Sequence, residues 1–210
     1  MKRLFDILLS ALVLTALSPL LLLLSAAIVI DSGFPVFFSQ DRMGRGFRKF
    51  RLRKFRTMRT GLSGSLLTVA GDSRITRLGR LLRHAKLDEI PQFWNVLRGE
   101  MSVVGPRPEV QEYVELYRER YSRILDVRPG ITDLASMHFR NEEAILAMSP
   151  DPLRDYRERI LPMKLDLAER YLQTQSIPGD FAIIVRTAMI IFRGSRTRLR
   201  PVDSKTEFSA

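Results

Sequence analysis

The hydrophobic pattern divides the chain into one continuous apolar segment and a longer mixed region. Residues Ile7 to Ile30 carry no charge. A straight helix of this length spans about 36 Å, enough to cross a hydrocarbon core of roughly 30 Å. The mixed region has apolar residues at helical spacing in several segments and short strand-like runs between them. We therefore predict an α+β, mainly helical fold with interfacial amphipathic helices and an N-terminal membrane segment.

A proline interrupts the apolar segment near its middle, at Ser18-Pro19. Pro19 has no amide hydrogen to donate to the carbonyl of Thr15, and its ring clashes there, which predicts a break. The hydroxyl of Ser18 can bond to the carbonyl of Leu14 and that of Thr15 to the carbonyl of Ala11. The pattern predicts a helix-break-helix at Ser18 and Pro19.

Basic residues lie on both sides of this segment. Lys2 and Arg3 precede it, and a dense run of cations follows, namely Arg42, Arg45, Arg48, Lys49, Arg51, Arg53, Lys54 and Arg56. Because cytoplasmic flanks are enriched in Lys and Arg, both ends are expected on the same side. A re-entrant hairpin over 1–31 satisfies this and a spanning signal anchor does not. A cleaved signal peptide is disfavoured because the apolar run continues past the small residues 25–27.

A second apolar stretch, Phe181 to Phe192, is too short to span a bilayer. Two readings stay open for it: a buried core helix, or a helix lying in the membrane interface. We expect one small cytosolic domain, large enough for an active site, over 32–194. We predict that the basic polar tail 195–210 is mobile.

Composition narrows the chemistry. The chain has 34 Lys and Arg against 23 Asp and Glu, a net charge of +11, which points to a polyanionic partner. It has no cysteine and two histidines, which excludes thiol nucleophiles and disfavours histidine-rich metal clusters. Oxygen ligands are favoured. No recognisable nucleic-acid-binding motif is present, so nucleic acid is not the expected partner.

Two adjacent acids, Asp88 and Glu89, stand among cations. Because Pro91 is tolerated near a helix start, we expect Asp88 at or near the N-cap, where the helix dipole keeps it ionised at pH 7. Lys86 and Arg83 act in the same direction. A plain capping pair is the simpler reading. The charged surroundings favour a carboxylate that binds Mg²⁺ or attacks phosphorus.

Arg107 lies between two prolines, Pro106 and Pro108. The prolines fix their own φ angles and push Arg107 towards extended geometry. By itself this is most simply a stiff turn. A rigid arginine also suits a two-bond contact with phosphate oxygens.

These segments, taken together and in order, resemble the monotopic phosphoglycosyl transferases, also called bacterial sugar transferases or undecaprenyl-phosphate sugar phosphotransferases. The resemblance covers nearly the whole chain. It is carried by the runs KRLFD (2–6), SP (18–19), FSQDRMG (38–44), KFRTM (54–58), RITRLG (74–79), LDEIPQ (87–92), NVLRGEMSVVGPRP (95–108) and RPGIT (128–132).

The resemblance implies a Mg²⁺-dependent reaction in two steps at the cytoplasmic face of the bacterial inner membrane. Asp88 would attack the β-phosphate of a UDP-sugar and expel UMP, and undecaprenyl phosphate would then accept the sugar phosphate. Glu89 would help Asp88 hold the metal or manage a proton. Lys54, Arg83 and Arg107 would cradle phosphate oxygens. The product would initiate a membrane-bound glycan, and anionic lipid headgroups would bind the basic flank.

One segment departs from the family pattern: after Thr132 the family commonly has Gly followed by a Trp-Ala-Gln type sequence, whereas this chain has Asp133 to Arg140. A sugar preference therefore does not transfer. Two other functions stay open, a non-catalytic basic module that binds membrane lipid, and direct glycosyl transfer with release of UDP. The sequence also leaves a homodimer open.

Overall fold

The computed structural model describes residues 1–61 and 67–193. The fold contains both helices and strands and is mainly helical, as predicted. The helices are Lys2–Ala16 (α1), Ser18–Ser32 (α2), Arg77–His84 (α3), Gln92–Leu97 (α4), Gln111–Leu116 (α5), Arg118–Ile124 (α6), Leu134–His138 (α7), Glu142–Ala147 (α8), Pro152–Asp155 (α9), Leu161–Thr174 (α10) and Ile177–Arg193 (α11). The strands are Phe37–Met43 (β1), Lys49–Phe55 (β2), Ser102–Val104 (β3) and Gly130–Thr132 (β4). The predicted tail 195–210 lies outside the described residues.

The apolar segment forms two helices, α1 and α2, bent by 61° where they meet at Leu17. Ser18 Oγ donates to the Thr15 carbonyl at 2.8 Å, so the hydroxyl replaces the amide hydrogen that Pro19 lacks. The predicted acceptor, Leu14, was wrong because the helix has already ended. Within 1–61 and 67–193 no single helix is long and apolar enough to cross a bilayer; α1 and α2 pass that test only as a bent pair.

Two polar residues of α1 point inward, and many leucines of the helix pair point outward. Asp6 and Ser10 are the buried residues of α1. Leu8 and Leu12 of α1, like Leu22 of α2, are more than 60% exposed. This arrangement is the reverse of a helix packed on a water-soluble core.

The strands β1 and β2 form an antiparallel hairpin whose two faces differ in charge. Along β2 the side chains alternate, with Phe50 and Leu52 buried and Arg51 and Arg53 exposed. Because successive strand residues face opposite sides, Lys54 falls on the face of Phe50 and Leu52. The alternation therefore turns this lysine inward.

The strands β3 and β4 are parallel, with Ser102 opposite Gly130 and Val104 opposite Thr132. Gly130 follows from close packing, since a Cβ there would lie 2.1 Å from the backbone nitrogen of Gly105. Both strands end at the same edge. The segment containing Arg107 therefore leaves β3 beside the start of α7.

Side chains from the first turns of α1 bind the outer edge of β3. We call Lys2, Arg3 and Asp6 the N-terminal anchor. Asp6 accepts from Val103 N at 3.1 Å and from the Ser102 hydroxyl at 2.9 Å. Lys2 donates to the Val104 carbonyl at 3.0 Å and forms a short ion pair with the buried Asp180 of α11. Arg3 donates to the carbonyls of residues 96 and 97 at the end of α4.

The last helix, α11, is divided between two environments. Asp180 and Ile183 are buried against the domain, whereas the opposite side exposes Ile177, Phe181, Val185 and Met189. These four residues recur every fourth position and so form one stripe along the helix. The core-helix reading accounts for the first face only.

Candidate active site

A cavity of about 950 Å³ opens among the β1–β2 hairpin, α3, the segment after β3, α7 and α8. All five of the predicted chemical residues line it: Lys54, Arg83, Asp88, Glu89 and Arg107. They come from four separate parts of the chain. The fold therefore brings together the groups that the sequence singled out.

Glu89 is held by two cations. Arg107 Nη1 donates to Oε2 at 3.2 Å and Arg107 Nη2 donates to Oε1 at 2.6 Å, a two-bond contact. Lys54 Nζ lies 3.0 Å from Oε1. The Glu89 side chain is only 10% exposed. Such paired, partly dry contacts fix geometry more strongly than surface ion pairs do.

The charges in this triad adjust one another's pKa values. Burial opposes ionisation of Glu89, but Arg107 and then Lys54 outweigh it, so the Glu89 pKa lies well below its ordinary value. Burial lowers the pKa of Lys54, against the opposing attraction of Glu89. Glu89 raises the pKa of Arg107. Glu89 is thus an ionised acceptor that holds two cations in place.

Asp88 has a different environment. It lies in a tight turn, Leu87–Glu89, entered through Lys86 at φ 56°, and α4 begins only at Gln92 with Pro91 at the N-cap. Asp88 therefore lies near the start of a helical turn, as predicted, but its side chain caps neither that turn nor α4. Burial and then the Glu89 charge raise the Asp88 pKa, although Lys54 and Lys86 act in the opposite direction. This direction is opposite to that expected from a helix dipole.

One oxygen of Asp88 is chemically unused. Oδ1 is buried and has no hydrogen-bond partner within residues 1–61 and 67–193. A buried carboxylate oxygen without a partner is costly and calls for an explanation. A cation or an electrophilic phosphorus placed at this atom provides one.

The carboxylates of Asp88 and Glu89 differ in how well they suit Mg²⁺. Across the described part of the chain, no cluster of three or more histidine, aspartate or glutamate side chains is arranged as a metal site. Mg²⁺ is often held by one or two carboxylates together with substrate phosphates and water. Asp88 fits this mode through Oδ1. Glu89 fits it less well, because its two oxygens already accept from Arg107 and Lys54.

Arg83 lines the same cavity but does not contact Asp88 or Glu89 in this structure. Its Nη1 donates to the Thr57 hydroxyl at 3.3 Å, and its Nη2 forms a short ion pair with Glu143 of α8. Its charge nevertheless opposes the rise in the Asp88 pKa that burial causes. Sequence reasoning missed Glu143, since nothing local links α3 to α8.

Asp133 was seen in the sequence only as a departure from the family pattern. Its carboxylate accepts from the Arg107 backbone N–H at 3.1 Å and from the Ser136 backbone N–H at 2.6 Å. It therefore caps α7 and fixes the backbone of Arg107 at once. An aspartate three residues before a serine at a helix start was the signal for the cap, but not for the contact with Arg107.

A second buried acid, Glu109, supports the wall of the cavity. It accepts from the Tyr156 hydroxyl at 2.7 Å and pairs with Arg42 at 3.1 Å. Burial opposes its ionisation, but Lys164 and Arg42 outweigh this and lower its pKa. No sequence signal indicated this pairing, which joins β1 to the π-type turn Tyr156–Ile160.

Cations fixed around a desolvated carboxylate are suited to an anionic substrate, because such a site preorganises charge where charge is transferred. The chain belongs to the bacterial sugar transferase family, whose sequence profile matches residues 1–194. It is accordingly an enzyme of the sugar-phosphate transferase class.

Relatives with related activities match most of the chain. The UDP-glucose:undecaprenyl-phosphate glucose-1-phosphate transferase of Caulobacter vibrioides is 38% identical over 193 residues, covering 89% of this chain and 67% of the relative. The undecaprenyl-phosphate glucose phosphotransferase of Komagataeibacter xylinus is 43% identical over 199 residues, covering 89% of this chain and 35% of that relative. A Klebsiella pneumoniae enzyme named like the first is 38% identical, covering 92% and 40%. The chain thus spans less than half the length of the last two.

Proposed function

We propose that this protein transfers a sugar 1-phosphate from a UDP-sugar to undecaprenyl phosphate and releases UMP. In the first step an Asp88 oxygen attacks the β-phosphorus of the donor, and the bond from that phosphorus to the bridging oxygen breaks, so that UMP leaves with the electron pair. In the second, a phosphate oxygen of the lipid attacks the same phosphorus and restores the Asp88 carboxylate. The names of the relatives support this donor and acceptor.

The observation that carries the proposal is the buried Oδ1 of Asp88 without a partner. A carboxylate that gives up no hydrogen bond on attack loses little stabilisation before the transition state. Burial also raises its pKa, and a more basic oxygen is the better nucleophile once it is deprotonated. Its neighbour Glu89 has the opposite environment and suits a holding role.

The cations of the cavity are suited to the charge of the phosphates. The Glu89 contact orients Arg107, and Lys54 lies on the other side of the same carboxylate oxygen. We propose that both bind donor phosphate oxygens, together with Arg83, and that Asp88 and Glu89 hold Mg²⁺. When bound, Mg²⁺ would neutralise phosphate charge and withdraw electrons from phosphorus.

We propose that the helix pair is re-entrant in the membrane, and the surfaces of the helices support this placement. The outward leucines of α1 and α2 need an apolar medium, and the exposed stripe of α11 needs one as well. Basic flanks on both sides of the hairpin favour one leaflet. We propose attachment to the cytoplasmic face of the bacterial inner membrane, where a lipid phosphate can reach the cavity and where anionic headgroups meet the basic flank.

Two alternatives predict different products. Direct glycosyl transfer would release UDP, and a non-catalytic lipid-binding module would release no nucleotide. The second gives no reason for a buried acid without a partner beside three cations. Formation of a lipid-linked sugar that initiates a membrane-bound glycan would not by itself exclude either alternative.

The test is nucleotide release from a panel of UDP-sugars with Mg²⁺ and undecaprenyl phosphate in nanodiscs. We expect UMP, and we expect Asp88→Asn to abolish it. Asp41→Asn serves as the control, because Asp41 is 68% exposed on β1 and outside the cavity lining. Without acceptor, donor labelled in the sugar should label the wild-type protein and not Asp88→Asn. UDP as the leaving nucleotide, or turnover by Asp88→Asn, would overturn the proposal.

A further inference from the structure

The guanidinium of Arg83 is occupied by an internal anion. Glu143 takes one terminal nitrogen in a short ion pair, and the Thr57 hydroxyl takes the other at 3.3 Å. The third nitrogen, Nε, is buried and makes no hydrogen bond within the described ranges. The two terminal nitrogens of Arg83 are therefore occupied, whereas its Nε can still donate a hydrogen bond. Arg83 lines the same cavity as Asp88.

Glu143 can leave Arg83 without displacing its helix. Its backbone carbonyl accepts from Ala70 N at 2.9 Å, a contact independent of the carboxylate. The neighbouring Glu142 ties α8 to Lys164 by another short ion pair. The Glu143 side chain is 42% exposed, so its carboxylate has water to move into. The backbone of α8 is thus fixed while the carboxylate at this position is replaceable.

Carboxylate and phosphate oxygens bind a guanidinium through the same donors and similar geometry. A phosphate at Arg83 would also repel the adjacent carboxylate. We infer that Glu143 occupies the phosphate-binding edge of Arg83 in the absence of substrate, and that an incoming phosphate replaces it. Glu143 then acts through Arg83, as an internal competitor that lowers the affinity of the cavity for phosphate. This inference rests on the proposed function, because it takes Arg83 as a phosphate ligand.

The sign of the effect separates this role from a structural one. Removing the charge of a residue that merely supports the fold weakens ligand binding or leaves it unchanged. Removing an internal competitor tightens it. A partly exposed ion pair of this kind corresponds to about two- to fivefold in affinity, so Glu143→Gln should lower Kd by about that factor. The gain should shrink as salt rises.

The experiment measures binding of two probes to the full chain in nanodiscs with Mg²⁺: UDP for the donor diphosphate and a short-chain isoprenyl phosphate for the lipid phosphate. Glu112→Gln is the matched control, since Glu112 is 47% exposed and forms a similar short pair with Arg157 outside the cavity lining. Glu143→Ala is included so that the result does not depend on a new amide. Tighter UDP alone assigns the exchange to the donor; tighter isoprenyl phosphate alone assigns it to the acceptor.

Unchanged or weaker binding of both probes by both Glu143 variants, with UMP release intact in the wild type, overturns this inference and leaves the proposed function standing. Equal tightening by Glu112→Gln overturns it too, because the effect would then be one of net charge. Absence of UMP release and of probe binding in every protein would overturn the proposed function and this inference together.

Discussion

Neutralising the two adjacent acids should change stability in opposite directions. The Asp88 pKa is raised from the ordinary 3.8, so the stability that its protonated form contributes is complete below that value and is lost as pH rises through the folded-state pKa. The Glu89 pKa is lowered from 4.5, so its contribution is present above that value and is lost as pH falls through its folded-state pKa. Near pH 7, Asp88→Asn should therefore stabilise the protein and Glu89→Gln should destabilise it.

The magnitudes follow from burial and partners. Asp88→Asn removes a charge that is buried with one oxygen unpartnered, but it leaves a polar amide in the same place. The gain is accordingly at the low end of the cost of an unsatisfied buried group, about 1 kcal/mol. Glu89→Gln leaves Lys54 and Arg107 without their counter-ion, which costs about 3 kcal/mol. For a domain of this size, the melting temperature should rise by about 2–4 °C for Asp88→Asn and fall by about 6–12 °C for Glu89→Gln.

The assay is thermal unfolding in nanodiscs, at one scan rate and without Mg²⁺ or nucleotide, repeated at several pH values. The advantage of Asp88→Asn over wild type should vanish at acid pH, where Asp88 is protonated in both states. Shifts of the same sign for the two variants would refute the reasoning, because they would mean that the acids share one environment. Loss of UMP release by Asp88→Asn together with a higher melting temperature would show stability given up for reactivity.

Three further changes test other parts of the structure. Arg107→Lys keeps the charge but loses the two-bond contact with Glu89, so UMP release should fall by at least about tenfold, measured as kcat. Gly79→Ala places a Cβ 2.1 Å from the Thr57 carbonyl oxygen, a clash with backbone that cannot easily move, which should cost about 3 kcal/mol or more, seen as a lower melting temperature. Phe181→Ser, in the exposed stripe of α11, should raise KM for the lipid acceptor while UDP binding stays the same, measured by initial rates and calorimetry.

The sequence predicted the helix break and the restricted geometry around Arg107 because those signals are local. Pro19 forbids one particular hydrogen bond, and two prolines restrict Arg107. The inward turn of Lys54 was also available from the alternation along β2. Each of these depends on neighbours in the chain and on nothing further away.

What the sequence could not supply were partners from distant segments. The environment of Asp88 depends on how closely α3 approaches it and on a burial that periodicity does not report. The contacts of Glu143 with Arg83 and of Asp133 with Arg107 join segments that meet only in the folded chain. The helical region is divided at Tyr117, at φ −127° and ψ 41°, into α5 and α6, a bend that no Gly or Pro marks.

The N-terminal anchor restricts how this enzyme can be engineered. A truncation that removes α1 and α2 to obtain a detergent-free fragment would also remove Asp6, leaving the Val103 amide and the Ser102 hydroxyl without their acceptor. It would leave Asp180 without Lys2 as well. Solubilising variants should instead keep the first turns and replace only outward leucines such as Leu12 and Leu22.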